Sequence, residues 1–257
     1  MTLELETIPC LSDNYAFLVH DRKSGATALF DAPETWPIQR ELEKQGWQLT
    51  HIFITHHHAD HIDAVADLVA AYHPEVIGAA RDAHRLPPLD TEVAPGDTYD
   101  LWGRQLWVLD AAGHTTGHIA YYLPRLGAAF TGDSLMALGC GRLFEGTPQM
   151  MWDSLTRLAA LPDDTLICSG HEYTAANGRF AATVEPGNPA LKDRIAQTAK
   201  ARAMDTPTVP SALGLEKATN PFLRAGDPGL KAGLGMADAA DVEVFAHIRG
   251  AKDGFKG

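Results

Sequence analysis

At 257 residues, 45% of them hydrophobic, the chain can bury a substantial core in one large domain or in a domain with an annex, which excludes disorder as the expectation. A formal net charge of −12 excludes a general nucleic-acid or anionic-membrane binder, whose partners attract concentrated Lys and Arg. No run of about 18 apolar residues is present to span a membrane, and Glu4 and Glu6 stand where a secretory leader needs positive charge, so a soluble cytoplasmic protein is expected.

In chain order, short apolar stretches bounded by turn residues predict strands over 3–8, 16–20, 26–31, 51–55, 76–79, 105–110, 119–123, 128–131 and 166–169. Helical patterns interrupt them at 37–45, 60–72 and 148–161, the last with Thr147 as N-cap and Pro148 at the first helical position. Strands and helices mixed in this way imply sheets covered by helices, a layered α/β or α+β architecture. After Tyr173 the texture changes. Residues 188–204 read as a helix with Lys and Arg on one face, 206–214 are rich in proline and small residues, and 239–248 are helical again, which predicts a mostly helical C-terminal annex. Cys10, Cys140 and Cys168 stand far apart with no CxxC pair, so neither a disulfide framework nor a Cys-rich zinc site is indicated, and a reducing compartment fits.

The most informative segment is Thr55-His56-His57-His58-Ala59-Asp60-His61, between an apolar strand and a helical pattern. In extended chain alternate side chains share a face, so His56 and His58 can converge on one ion, while Asp60 and His61 at the turn into the helix can face a second. Imidazole and carboxylate are the ligands of zinc and similar first-row divalent ions, and iron and manganese also accept such a set. One cluster cannot complete two coordination shells. His114, Asp133 and His171 each follow a predicted strand beside glycine, where the backbone can turn sharply and project a side chain beyond a sheet. Any one of them alone could be an ordinary loop residue; their joint occurrence carries the argument. His118 and Asp31 are read as partners that orient ligating imidazoles, and His20, His51, His73, His84 and His247 receive no role.

These residues resemble the metallo-β-lactamase superfamily, whose HxHxDH motif is matched by His56 to His61 and whose later ligands fall in the order His114, Asp133, His171. The resemblance implies an α+β fold, an αββα sandwich with a C-terminal helical domain. Within the superfamily the chain is similar to the hydroxyacylglutathione hydrolases (the glyoxalase II family) over nearly its whole length. The similarity runs through Ile8 to Tyr15, Cys140 to Thr147, Ser169 to Thr174, Glu216 to Arg224 and Arg249 to Phe255. It implies a catalytic domain over 1–173 and a substrate-binding domain over 174–257. It also implies two divalent metals, zinc first, with His56, His58 and His114 on one, Asp60, His61 and His171 on the other, and Asp133 bridging. Arg142, Tyr173, Arg249 and Lys252 would surround glutathione in a monomer. Relatives often carry Lys where this chain has Arg142 and Tyr where it has Phe144.

The implied chemistry is thioester hydrolysis. Two ions acidify a shared water, so His56, His58, Asp60, His61 and Asp133 act through the metals, and an alkyl thiol of pKa near 8.5 departs with little acid help. No G-x-S-x-G elbow is present, and Cys140 and Cys168 lack a spacing that assigns a base. The competing readings are a persulfide dioxygenase or lactonase of the same superfamily, a β-lactamase or nuclease, and a non-catalytic metal-binding scaffold.

Overall fold

Residues 2–257 are described by a computed structural model; Met1, with which the first expected domain begins, lies outside them. The chain divides into two units, Met1–Asp110 with Gly117–Gly132, and Ala111–Thr116 with Asp133–Gly257.

In the first unit, β1 (Leu3–Cys10) and β2 (Asn14–Asp21) form an antiparallel hairpin and β3 (Ala26–Phe30) joins β2 antiparallel. The chain then crosses over through α1 (Thr35–Gln45) to β4 (Gln48–Phe53), and through α2 (Ala59–Ile62) and α3 (Val65–Tyr72) to β5 (Glu75–Ala79). Crossovers of this kind are what parallel neighbours require, and β3, β4, β5 and β6 (Thr91–Val93) pair in parallel. A second run, β7 (Thr98–Asp100), β8 (Gln105–Asp110), β9 (Ile119–Leu123) and β10 (Ala128–Gly132), is antiparallel throughout.

Period-two alternation sorts the first sheet between two faces. Ala16, Leu18, Leu29 and Ile52 cluster with Ile38 and Leu42 of α1 and with Val65 and Leu68 of α3. Their neighbours Phe17, Phe30 and Phe53 meet the rings of Tyr121 and Phe130 from β9 and β10, and the Phe30 and Phe130 rings stack. Helices, sheet and sheet are therefore successive layers in this unit, and β2 is buried at every position. Emptying the aromatic layer by Phe30→Ala would cost about 3–5 kcal/mol.

The helix expected over 60–72 is broken. Ala32 N donates to His61 O and Ala64 N donates to Ala32 O, so backbone groups that would continue the helical ladder strap the chain after β3 instead. The single apolar period hides two helices because tertiary hydrogen bonds override it.

The second unit contains β11 (Leu135–Met136) paired with β12 (Gly139–Cys140), then α4 (Pro148–Ala159), whose N-cap Thr147 side chain accepts from Met150 N as expected. β13 (Leu166–Ser169) leads into α5 (Thr174–Val184) and α6 (Pro189–Arg202), and β14 (Ser211–Ala212) pairs with β13. The short α7 (Leu213–Thr219) and α8 (Pro228–Gly233) precede α9 (Asp241–Asp253). Glu216 is fully buried and accepts from the Arg194 guanidinium, Ser211 Oγ, Asn220 Nδ2 and Leu138 N, so the buried charge is paired and its lone pairs are used.

Among the described residues no helix is long and apolar enough to cross a membrane. All three cysteines are free and buried. Burial pushes the Cys10 thiol up to about 12 and the Cys140 thiol up to about 11, and it raises Cys168 further.

Candidate functional site

In the first unit the site begins where β4 ends. Asp31, one residue past β3 and in the left-handed region at φ 56°, turns its buried carboxylate onto the following segment. Its Oδ1 accepts from Thr55 N at 2.8 Å, and its Oδ2 accepts from Thr55 Oγ1 and His61 Nδ1, each at 2.8 Å. Thr55 Oγ1, having given its hydrogen to Asp31, accepts from His56 Nδ1 at 3.0 Å. Both imidazoles therefore carry hydrogen on Nδ1 and the lone pair on Nε2, the tautomer that ligates a metal. His56 Nε2 lies 3.1 Å from His58 Nδ1, near the ~3.3 Å edge of a tetrahedron with 2.0–2.1 Å metal–nitrogen bonds. His61 Nε2 lies 3.8 Å from Asp60 Oδ2.

Three further side chains hold this segment. Asn14, at the start of β2, donates through Nδ2 to both Asp60 O and Asp60 Oδ2 at 3.0 Å. His57 donates through Nδ1 to the buried Asp82 at 3.1 Å, and Asp82 also accepts from Arg85. The ring of His118 stacks on His56, with centroids 4.6 Å apart. Gly132, at φ 46°, passes so close that a Cβ there would lie 2.5 Å from Thr55 Oγ1 and 2.8 Å from His118 Nε2, so no other residue fits.

The second unit carries the remaining donors. His114 Nδ1 donates to Arg142 O at 2.8 Å, which again leaves the lone pair on Nε2. Asp133 Oδ2 lies 3.5 Å from His114 Nε2 and 3.2 Å from His171 Nε2. One carboxylate oxygen thus stands at ligand-pair distance from two imidazoles, and all three side chains are buried. The loop after β12 crosses directly over them: a Cβ on Gly141 would lie 2.0 Å from Asp133 O and 2.9 Å from His114 Nδ1. Nitrogen and oxygen donors in ligand-ready tautomers suit zinc, iron or manganese.

The same unit holds the expected cations. The Tyr173 ring stacks on His171 with centroids 4.7 Å apart and planes 5° apart. Arg249 and Lys252 both lie on α9. The Arg249 side chain is only 7% exposed and donates through Nη1 to Cys140 O at 2.8 Å and through Nη2 to Asp253 Oδ1 at 2.9 Å. Lys252 Nζ lies 5.3 Å from the Phe180 ring centre and 5.4 Å from that of Phe255, and burial, then the charges of Arg249 and Arg179, hold its pKa below the usual lysine value. Arg142 lies over the exposed Phe144 ring at 5.9 Å and donates through Nε to Asp253 at 3.3 Å.

Sequence reasoning passed over Thr55, Asn14, Asp82 and Asp253. Asn14 and Asp82 are recruited to the segment 56–61 from 46 and 25 residues away, which no spacing announces, whereas Thr55 adjoins His56 and Asp253 stands four residues after Arg249. Asn14 stood inside a quoted motif but reads as an ordinary turn residue.

Comparison with known proteins adds to this geometry. A family model for the metallo-beta-lactamase superfamily matches residues 12–171, and one for the hydroxyacylglutathione hydrolase C-terminus matches residues 172–255. A protein of Ruegeria pomeroyi named hydroxyacylglutathione hydrolase is 62% identical over 255 residues, covering 99% of this chain and 100% of that one. The crystal structure of ETHE1 from Myxococcus xanthus matches with a TM-score of 0.70 and 27% identity, over 100% of this chain and 93% of that one. A structure of TTHA1623 in a di-iron-bound form matches with a TM-score of 0.62 and 26% identity, over 86% of this chain and 100% of that one.

Proposed function

Because the chain belongs to the hydroxyacylglutathione hydrolase family of the metallo-β-lactamase superfamily, we propose that it hydrolyses S-(2-hydroxyacyl)glutathione, S-D-lactoylglutathione above all, to glutathione and a 2-hydroxy acid. That is the second step of methylglyoxal detoxification. Its fold is the metallo-β-lactamase fold, with mixed sheets and a C-terminal helical region, and this fold together with the His/Asp clusters suggests a dinuclear metal site. The observation that carries the reading is the loop Cys140–Gly141–Arg142. Its Arg142 carbonyl orients the metal-type donor His114, while its Arg142 side chain belongs to the cation cluster with Arg249.

In this reading His56, His58 and His114 would hold one ion and Asp60, His61 and His171 the other, with Asp133 shared between them; the ligand-pair distance of Asp133 Oδ2 from both His114 Nε2 and His171 Nε2 supports it. Zinc is the first choice, with iron or manganese as alternatives. Two such ions supply the Lewis acidity that makes water a nucleophile near neutral pH. Asp31 and Thr55 fix the tautomers of His56 and His61, and Arg142 O fixes that of His114, so the imidazoles are ready to bind without reorganisation. Arg142, Tyr173, Arg249 and Lys252 hold the glutathione part of the substrate, which orients the thioester. The thiol leaving group needs no side-chain acid. The cysteines, with thiol pKa values of about 11 and above, do not compete as nucleophiles.

Residues 1–173 would then serve catalysis and 174–257 substrate binding, in a monomer of the cytoplasm, where three free buried cysteines are at home. A persulfide dioxygenase or lactonase is disfavoured by the full-length identity to hydroxyacylglutathione hydrolases and by the matching C-terminus. The test is steady-state hydrolysis of S-D-lactoylglutathione beside a lactone, a β-lactam and glutathione persulfide, with metals measured on the same sample. The expected result is preferential thioester turnover with close to two metal equivalents; oxidation of the persulfide by a one-metal protein would overturn the reading.

A further inference from the structure

We infer that Asp253 positions the cations that receive glutathione, acting as one anion shared between an exposed and a buried guanidinium. The inference rests on the reading of Arg142 and Arg249 as glutathione contacts. Asp253 Oδ1 accepts from Arg249 Nη2 at 2.9 Å and from Arg142 Nε at 3.3 Å. The two arginines differ in what else restrains them. Arg249 is buried, lies over the Phe222 ring at 5.2 Å and clamps Cys140 O, so its position is set by the interior. The Arg142 side chain is 56% exposed and projects from a surface loop, where a long side chain samples many rotamers. Asp253, one helical turn after Arg249 on α9, converts the fixed position of the buried arginine into a fixed position for the exposed one.

The choice of arginine at 142 follows from the same geometry. A guanidinium has two donor edges: the Nε edge can answer Asp253 while the terminal nitrogens remain for a substrate carboxylate. A lysine ammonium at this position would offer one point charge to both anions. The shared carboxylate also offsets the mutual repulsion of two guanidiniums and leaves the cluster of Arg142, Arg249, Lys252 and Asp253 positive, as an anionic substrate requires. Asp253 is 39% exposed on its side chain, and ion pairs this exposed add little to folding, so its replacement should leave the protein folded.

The test is Asp253→Asn in the metal-loaded full-length protein, assayed with S-D-lactoylglutathione and with S-D-lactoyl-N-acetylcysteamine, a thioester of an uncharged thiol. The KM for the glutathione thioester should rise about tenfold, the effect of one charge-assisted hydrogen bond, with kcat within about twofold and metal content unchanged. The ratio of kcat/KM between the charged and neutral thioesters should fall with it, a change that general damage to the fold would not produce. Asp253→Glu, which keeps the charge, should recover part of the loss. An unchanged or lower KM in Asp253→Asn while Arg249→Ala raises it would overturn the positioning role, as would a fall in kcat and metal content at constant KM. If Arg249→Ala and Arg142→Ala also leave KM unchanged, the glutathione reading of the cluster is itself wrong.

Discussion

The two groups of metal-type donors are built in opposite ways. His56, His58, Asp60 and His61 fall within six consecutive positions and are braced by side chains brought from elsewhere: Asp31 through Thr55 and His61, and Asn14 through Asp60. His114, Asp133 and His171 come from three separate loops and are braced by backbone, with Arg142 O on His114 and Gly141 pressed against Asp133 O. A contiguous segment shares one flexible backbone, so its donors need external carboxylate and amide groups to fix each tautomer and rotamer. Dispersed donors inherit their positions from the strands they follow, and what matters there is that the covering loop carries no bulk.

This contrast can be broken at three points. The largest effect belongs to Asp133→Ala, because its Oδ2 faces two imidazoles at once. The variant should lose kcat on the order of 10³-fold with a much smaller change in KM, together with metal, as read by steady-state kinetics and elemental analysis. Near-normal kcat with both metals retained would remove Asp133 from its central place. Next comes Asp31→Ala, which leaves every proposed ligand in place but strips the brace from His61 and from the Thr55–His56 relay. Metal affinity, measured by competition with a chromophoric chelator, should drop about 10- to 100-fold; unchanged affinity would show that the contiguous segment holds its shape alone. Gly141→Ala probes the other unit, since its new methyl would stand 2.0 Å from Asp133 O. Overpacking of this kind costs about 1–3 kcal/mol, so a lower Tm and weaker metal retention are expected, whereas Gly250→Ala, with open space around it, should leave both as they are.

Legibility in the sequence followed the same division. The six-residue cluster at the end of an apolar strand was readable because ligand types, spacing and strand end coincide locally. The strands 105–110, 119–123 and 166–169 were predicted with the bounds the structure gives, since each is a continuous apolar run between turn signals. Residues 91–93 and 98–100 form strands of three residues, too short to show a period. Helix α5, Thr-Ala-Ala-Asn-Gly-Arg-Phe-Ala-Ala-Thr-Val, escaped because its alanines and glycine blur the apolar face, even though Phe180 and Ala181 are buried. The break between α2 and α3 depends on two hydrogen bonds made by Ala32, and the His57–Asp82 and Arg142–Asp253 pairings span 25 and 111 residues. Such long-range pairings leave no local pattern.

The buried cysteines have a consequence for the setting in which the chain works. Glutathione is the proposed product, and on oxidation it becomes a disulfide that exchanges with any accessible thiolate. With Cys140 at about 11 and Cys10 at about 12, no more than about one thiol in 10⁴ is ionised near pH 7, and none of the three is at the surface. Mixed-disulfide formation therefore finds neither a nucleophile nor an approach, and the native protein is insulated from the redox state of the thiol pool that its own reaction would feed.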